Sequence, residues 1–275
     1  MNNPTFKLLV LTDLSKSAAK ALDNAVNLAK IINGSIDVFH VLKPSDIAEY
    51  ENQYSAMRTI DEERYNTKNK LKTLVREISK RENIQIQASF RLGNLKSEVL
   101  EEIENAKPDI IVLGKRPPRI FNFLGDSFTK FILKNFNGSV LISGKNTAIR
   151  TTETMSLGLL NTTTADLPQG ITTALRRRIK KPIRQFFVRN ASEENTPETV
   201  SKAENVITFE FENSSNAIDN VATYVSKNNI GLLCVNRHAK KNSRFKNITS
   251  NIKEAIHKIN VPILIVKNSS TIQLQ

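Results

Sequence analysis

Short apolar runs alternate with longer stretches whose apolar residues recur every three or four positions. No other feature constrains the fold of this chain as tightly. Lys7–Leu11 is a short run, apolar from Leu8 onward and without alternation, which fits a strand covered on both faces. Thr12-Asp13-Leu14-Ser15 then offers helix-capping side chains. Ala18, Ala21, Leu22, Ala25, Leu28, Ala29 and Ile32 follow at helical spacing, and Asn33-Gly34 marks the predicted helix end. The pattern continues with a strand over 36–42, a polar loop over 43–55, a charged helix over 58–82 and a strand over 84–90. A helix over 96–106, a strand over 110–114, a helix over 126–137 and a strand over 139–143 complete it. Strands separated by helices predict a parallel sheet with right-handed crossovers.

The second half repeats this order. Leu157-Gly158-Leu159-Leu160-Asn161-Thr162-Thr163 mirrors Leu9-Val10-Leu11-Thr12-Asp13-Leu14-Ser15, with Asn161 in the place of Asp13. Residues 230–236 mirror 109–114, with Asn236 in the place of Gly114, and residues 262–268 mirror 139–145. Between the second strand of this half, 184–188, and the third, 206–211, the stretch beginning Ala191-Ser192-Glu193-Glu194-Asn195-Thr196-Pro197 leaves no room for the long helix of the first half. The chain reads as a tandem duplication with a trimmed second copy: domains over 1–145 and 156–275, joined by a Thr-rich linker over 146–155.

Composition narrows the class. Of 275 residues, 39% are hydrophobic and 24% charged, which is ordinary for a globular chain and argues against long disorder. The net charge of +13 is spread, with 23 basic and 17 acidic groups in residues 1–150 and 17 and 10 in the rest. A solvated basic surface accounts for that spread, so neither nucleic acid nor a membrane is an expected partner. The one cysteine, Cys234, excludes an internal disulfide framework and a cysteine-rich zinc site. A reducing, cytoplasmic location is expected. No segment reaches the roughly 18 apolar residues of a membrane span, and the first seven residues lack the features of a signal peptide.

Leu9-Val10-Leu11-Thr12-Asp13-Leu14-Ser15 before an Ala-rich helix, Arg91-Leu92-Gly93 before another, Asp109-Ile110-Ile111-Val112-Leu113-Gly114, and the last helix and strand over 128–143 together resemble the universal stress protein family. The resemblance is close over 5–145 and weaker over 156–267. It implies an α/β fold like that of the adenine nucleotide alpha hydrolases, here two tandem open parallel five-stranded sheets, order 3-2-1-4-5, with helices on both faces. Ligands of such sheets bind where the strand order reverses, outside the carboxyl ends of the strands. In the first copy that point lies between the strands ending at Asp13 and Gly114.

Many family members hold ATP there. The aspartate after strand one and the backbone after strand two take adenine and ribose, and a Gly-x2-Gly-x9-Gly-(Ser/Thr) pattern wraps the phosphates. Glycine lets backbone N–H groups approach closely, and a helix N-terminus adds positive potential. The resemblance thus implies an adenine nucleotide at Thr12, Asp13, the backbone near Val41, Gly114, Lys115, Gly125, Asp126 and Ser127. The match is partial. Pro117 stands where the second glycine belongs and has no N–H to donate. Gly125 comes too soon for the family spacing, and Asp126, suited to cap the next helix, would repel a phosphate. Lys115, Arg116 and Arg119 would compensate by charge. In the second copy Asn161 and Asn236 replace the key aspartate and glycine, so no nucleotide is expected there.

Other chemistry is sparse. His40, His238 and His257 lie on separate elements, so no metal site is expected. Cys234 sits in an apolar strand and reads as an inert thiol. No nucleophile elbow or Walker loop is present. Asp13 is either a ligand contact or a plain cap of the first helix. Arg176-Arg177-Arg178-Ile179-Lys180-Lys181 reads as a solvated helix face above Leu175 and Ile179, or as a patch for an acidic partner. The apolar fifth strands of the two copies are expected to pair edge to edge within the chain as a pseudo-dimer; a homodimer stays open. Three functional readings remain: a non-catalytic stress-response or signalling module with a nucleotide in its first domain, a protein-interaction scaffold without one, and a weak ATP hydrolase.

Overall fold

The computed structural model describes residues 6–43, 53–115, 124–144, 147–149, 155–189, 205–237 and 248–266, with side chains left out at 53–56, 124–127 and 248–251. Contacts group the chain into two compact units, Met1–Ala29 with Asn33–Asn137, and Lys30–Ile32 with Gly138–Gln275.

In the first unit β1 (Phe6–Thr12), α1 (Lys16–Ile32), β2 (Gly34–Leu42), α2 (Gln53–Glu82), β3 (Ile86–Leu92), α3 (Leu95–Ala106), β4 (Ile110–Leu113) and α4 (Leu124–Asn135) follow in turn. The strand order is β3-β2-β1-β4, all parallel where register is defined. All four β4 residues are buried, as a strand covered on both faces requires. Helix α1 forms because Ser15 caps it, accepting from the Ala18 N–H at 3.4 Å, and because Ala18, Ala21, Leu22, Ala25, Leu28 and Ala29 make one buried stripe. It ends at Asn33, in the left-handed region at φ 57°; Gly34 instead opens β2. Asn94 caps α3 by accepting from Lys96 and Ser97.

The second unit contains β5 (Ser139–Ile142), β6 (Ser156–Leu160), a 3-10 turn (Thr164–Asp166), α5 (Gln169–Arg178), β7 (Ile183–Arg189), β8 (Val206–Glu212), α6 (Ala217–Lys227), β9 (Ile230–Asn236), α7 (Ile248–Lys258) and β10 (Ile263–Val266). Its order is β5-β10-β9-β6-β7-β8, so β8-β7-β6-β9-β10 gives the full 3-2-1-4-5 arrangement. Strand β5 groups here because Ile142, Leu141 and Val140 pair antiparallel with Ile263, Leu264 and Ile265 of β10. These are the two apolar edges whose pairing the sequence suggests. Ile149 and Met155, in and beside the Thr-rich stretch, are buried.

Several boundaries move. The third strand runs 86–92 rather than 84–90, because Asn83 turns left-handed at φ 50° and Ile84 N–H still bonds Ser79 O of α2. Helix α2 starts at Gln53 rather than at 58, and α4 at Leu124 rather than at 126. Residues 190–204, which include the trimmed stretch 191–197, lie outside the described residues.

Candidate functional site at the carboxyl end of the first sheet

Strand β1 ends in a turn pinned by its own side chains. Thr12, buried, accepts from the Leu14 N–H through Oγ1 at 3.0 Å. Leu14 takes the left-handed conformation at φ 59°. Asp13 Oδ1 accepts from the Ser15 N–H at 3.1 Å and from the Ser15 hydroxyl, an arrangement in which a short acidic side chain mimics a backbone turn. Asp13 is therefore not the helix cap; that role is Ser15's, and Asp13 stands exposed two residues earlier. From the neighbouring strand, His40 Nδ1 lies 2.8 Å from the Thr12 carbonyl oxygen. A carbonyl only accepts, so Nδ1 carries the proton.

Gly114 closes the other side of the reversal point. A Cβ there would stand 3.0 Å from Ser17 O and 3.2 Å from Ser17 C. The glycine lets the end of β4 lie against the first turn of α1, directly after the Asp13–Ser15 turn. Lys115 follows, half-buried. Val41 has its side chain in the core, so only its backbone is left to meet a ligand. Next to it, Leu42 O accepts from Gly93 N–H at 3.1 Å. Gly125, Asp126 and Ser127 fall inside the first turn of α4, so Asp126 does not precede that helix as a cap would. Arg116, Pro117 and Arg119 lie outside the described residues. The structure thus brings Thr12, Asp13 and Gly114 together around the start of α1. Sequence reasoning offered Ser15 only as one of several capping side chains, not as the partner of Asp13, and missed His40 as part of this turn. The signals were an Asx-x-Ser run after a strand and a histidine near the end of the next one.

The equivalent end of the second sheet is built differently. Asn161 is buried, with φ 48°. Its N–H bonds Phe186 O at 2.8 Å, and its Oδ1 accepts from Val188 N–H at 2.8 Å. The side chain extends the β6–β7 ladder past its last strand residue. Asn236 is buried as well; 238–247 lie outside the described residues. Burial pushes the Cys234 thiol up to about 12, which leaves no thiolate for nucleophilic chemistry near neutral pH. Among the described residues no three His, Cys, Asp or Glu side chains come together to hold a metal, and no helix is long and apolar enough to cross a membrane.

The universal stress protein family profile matches residues 5–143, half of the sequence. The chain belongs to the universal stress protein family. No curated protein is similar enough in sequence to match it. Among solved structures, a universal stress protein from Archaeoglobus fulgidus DSM 4304 is similar at 17% identity and a TM-score of 0.66, over 95% of this chain and 98% of that one. A putative universal stress protein from Pseudomonas aeruginosa UCBPP-PA14 is similar at 12% identity and a TM-score of 0.55, over 96% and 94%. At these identities the likeness is one of fold, and it extends over both units.

Proposed function

We propose that this universal stress protein is a non-catalytic stress-response or signalling module that holds an adenine nucleotide in its first unit only, at Thr12, Asp13, the Val41 backbone, Gly114, Lys115 and the Gly125-Asp126-Ser127 turn. One observation carries the reading: Asp13 stands exposed at the reversal point of the first sheet, whereas its sequence counterpart Asn161 is buried and already bonded to Val188. A carboxylate in that position suits the vicinal hydroxyls of a ribose, which are hydrogen-bond donors. In the second unit the Val188 N–H, near the end of β7, is already taken by Asn161 of the chain itself.

A second reading, a protein-interaction scaffold without nucleotide, draws on Gly114. The close approach that this glycine permits is used by α1, and no phosphate is needed to explain it. Calorimetry separates the two. With magnesium and ATP the nucleotide module gives a saturable isotherm, and Asp13→Asn weakens it at least tenfold while keeping the Oδ1 acceptor that Ser15 needs. No binding of ATP, ADP or AMP up to millimolar concentration leaves the scaffold. Steady phosphate release above a heat-killed control makes the chain a hydrolase.

A further inference from the structure

The last turn of α5 carries Arg176, Arg177 and Arg178, and Lys180 and Lys181 follow at once; all five are exposed. Helix C-termini attract cations, but the other helices manage with fewer: α1 has Lys30, α6 has Lys227, α2 has Lys80 and Arg81. Several other surface cations are neutralised by neighbouring carboxylates. Arg81 bonds Asp23 and Glu82, Arg91 faces Glu98, Glu101 and Glu102, Arg189 meets Glu210 at 3.0 Å, and Lys258 meets Asp219 at 2.9 Å. Arg176, Arg177, Arg178 and Lys181 make no ion pair among the described residues. Beneath them Leu175 and Ile179 are buried, and the Ile179 N–H bonds Leu175 O at 3.0 Å, so the ridge sits on a fixed base. With Leu175 pointing inward, the roughly 100° step per residue aims Arg177 outward and sets Arg176 and Arg178 on its flanks.

We propose that this ridge is a docking surface for an acidic, extended segment of a partner protein. Guanidinium groups fork onto carboxylates in pairs of hydrogen bonds, and clusters of arginine are a recurrent way to read acidic motifs. The ridge is one helical turn of about 5.4 Å plus two residues, which matches a few consecutive carboxylates and is short for the 600 Å² or more of even a small nucleic-acid module. Among the described residues the large exposed apolar side chains, Met57, Tyr65, Leu92 and Ile207, lie on other elements, so none of them stands at the ridge to stack on bases or enter a lipid surface.

The test uses full-length protein and labelled hexaglutamate, with a short DNA duplex and phosphatidylserine vesicles as competing probes. Hexaglutamate is expected to bind, to weaken as salt rises, and to lose at least tenfold in affinity in the triple variant Arg176→Gln, Arg177→Gln, Arg178→Gln. The single reversal Arg177→Glu should lose nearly as much. The control Lys68→Gln, Lys70→Gln, Lys72→Gln removes three exposed charges from α2 and should change affinity less than twofold. No hexaglutamate binding, an equal loss in both triple variants, or tighter capture of the duplex or vesicles through the same arginines overturns the proposal.

Discussion

Strands β3 and β8 close the outer ends of their units, and their two faces carry opposite chemistry. Successive side chains on a strand alternate between faces. On the α3 side, β3 presents Gln87, Ser89 and Arg91, and Arg91 is ringed by Glu98, Glu101 and Glu102 of α3. On the corresponding α6 side, β8 presents Ile207, Phe209 and Phe211, and Phe209 packs on Tyr224 of α6 at 4.5 Å. The other faces are exchanged too. Strand β3 offers Ile86, Ala88, Phe90 and Leu92 on the side where α2 packs. Strand β8 offers Val206, Thr208, Glu210 and Glu212, with Thr208 bonded to Gln185 and Glu210 to Arg189. Helix α2 has no counterpart among the described residues of the second unit. A strand face without a helix to cover it remains stable in water only if it is polar. Among the described residues the aromatic pairs of the second copy lie on the face that α6 covers.

The largest test of this contrast is truncation on each side. Phe186 is fully buried, stacked on Phe209 at 5.7 Å and edge-on to Tyr224 at 5.4 Å. Phe186→Ala should cost about 3–5 kcal/mol in denaturant unfolding. Arg91→Ala removes three carboxylate contacts, yet these lie at the solvent boundary and should cost less than about 1 kcal/mol. Equal losses would mean that the ionic contact of the first unit is as structural as the aromatic one of the second.

The two sheet ends supply the next test. Asn161→Ala strips the buried Val188 N–H of its acceptor and places alanine at φ 48°, so a loss of about 1–3 kcal/mol is expected. Asp13→Asn keeps the acceptor for Ser15 and should change stability by less than about 0.5 kcal/mol. Comparable losses at both positions would erase the distinction between an open first end and a self-closed second one.

This distinction was only half legible in the sequence. The uninterrupted apolar run ending at Leu11 announced a doubly covered strand, and the alternation of strands and helices announced the sheet. Turn chemistry was harder. The residue after α1 that goes left-handed is Asn33 rather than Gly34, because asparagine tolerates that region as well. The bond from Val188 to Asn161 joins residues 27 apart and leaves no local pattern. The exchange of faces between β3 and β8 was written in the alternation, but it had meaning only once the helix on each side was known.

The smallest effect concerns the wet side of the first unit. Asp37 on β2 is pushed above its ordinary carboxylate range by burial, with Lys7 of β1 pulling the other way. Glu102 of α3 is pushed up first by burial, against the pull of Arg91, and further by Asp37 and Glu101. A carboxyl raised on folding binds protons more tightly in the native state. Its ionised form therefore costs stability above the raised value, and that cost vanishes below the ordinary value near 3.8 for aspartate. Asp37→Asn should then stabilise the protein at pH 7 by at most about 1 kcal/mol after solvent screening, and the advantage over the parent should shrink to nothing near pH 3. Urea unfolding of both proteins at the two pH values checks the sign. Strand β7 of the second unit carries no carboxyl: Gln185, paired with Leu159 of β6, is neutral, and Phe186 fills the α6 side, so no variant of β7 should reproduce that pH trend. A loss of stability in Asp37→Asn at pH 7 that fades on acidification would mean that Lys7, and not burial, sets the charge of this strand.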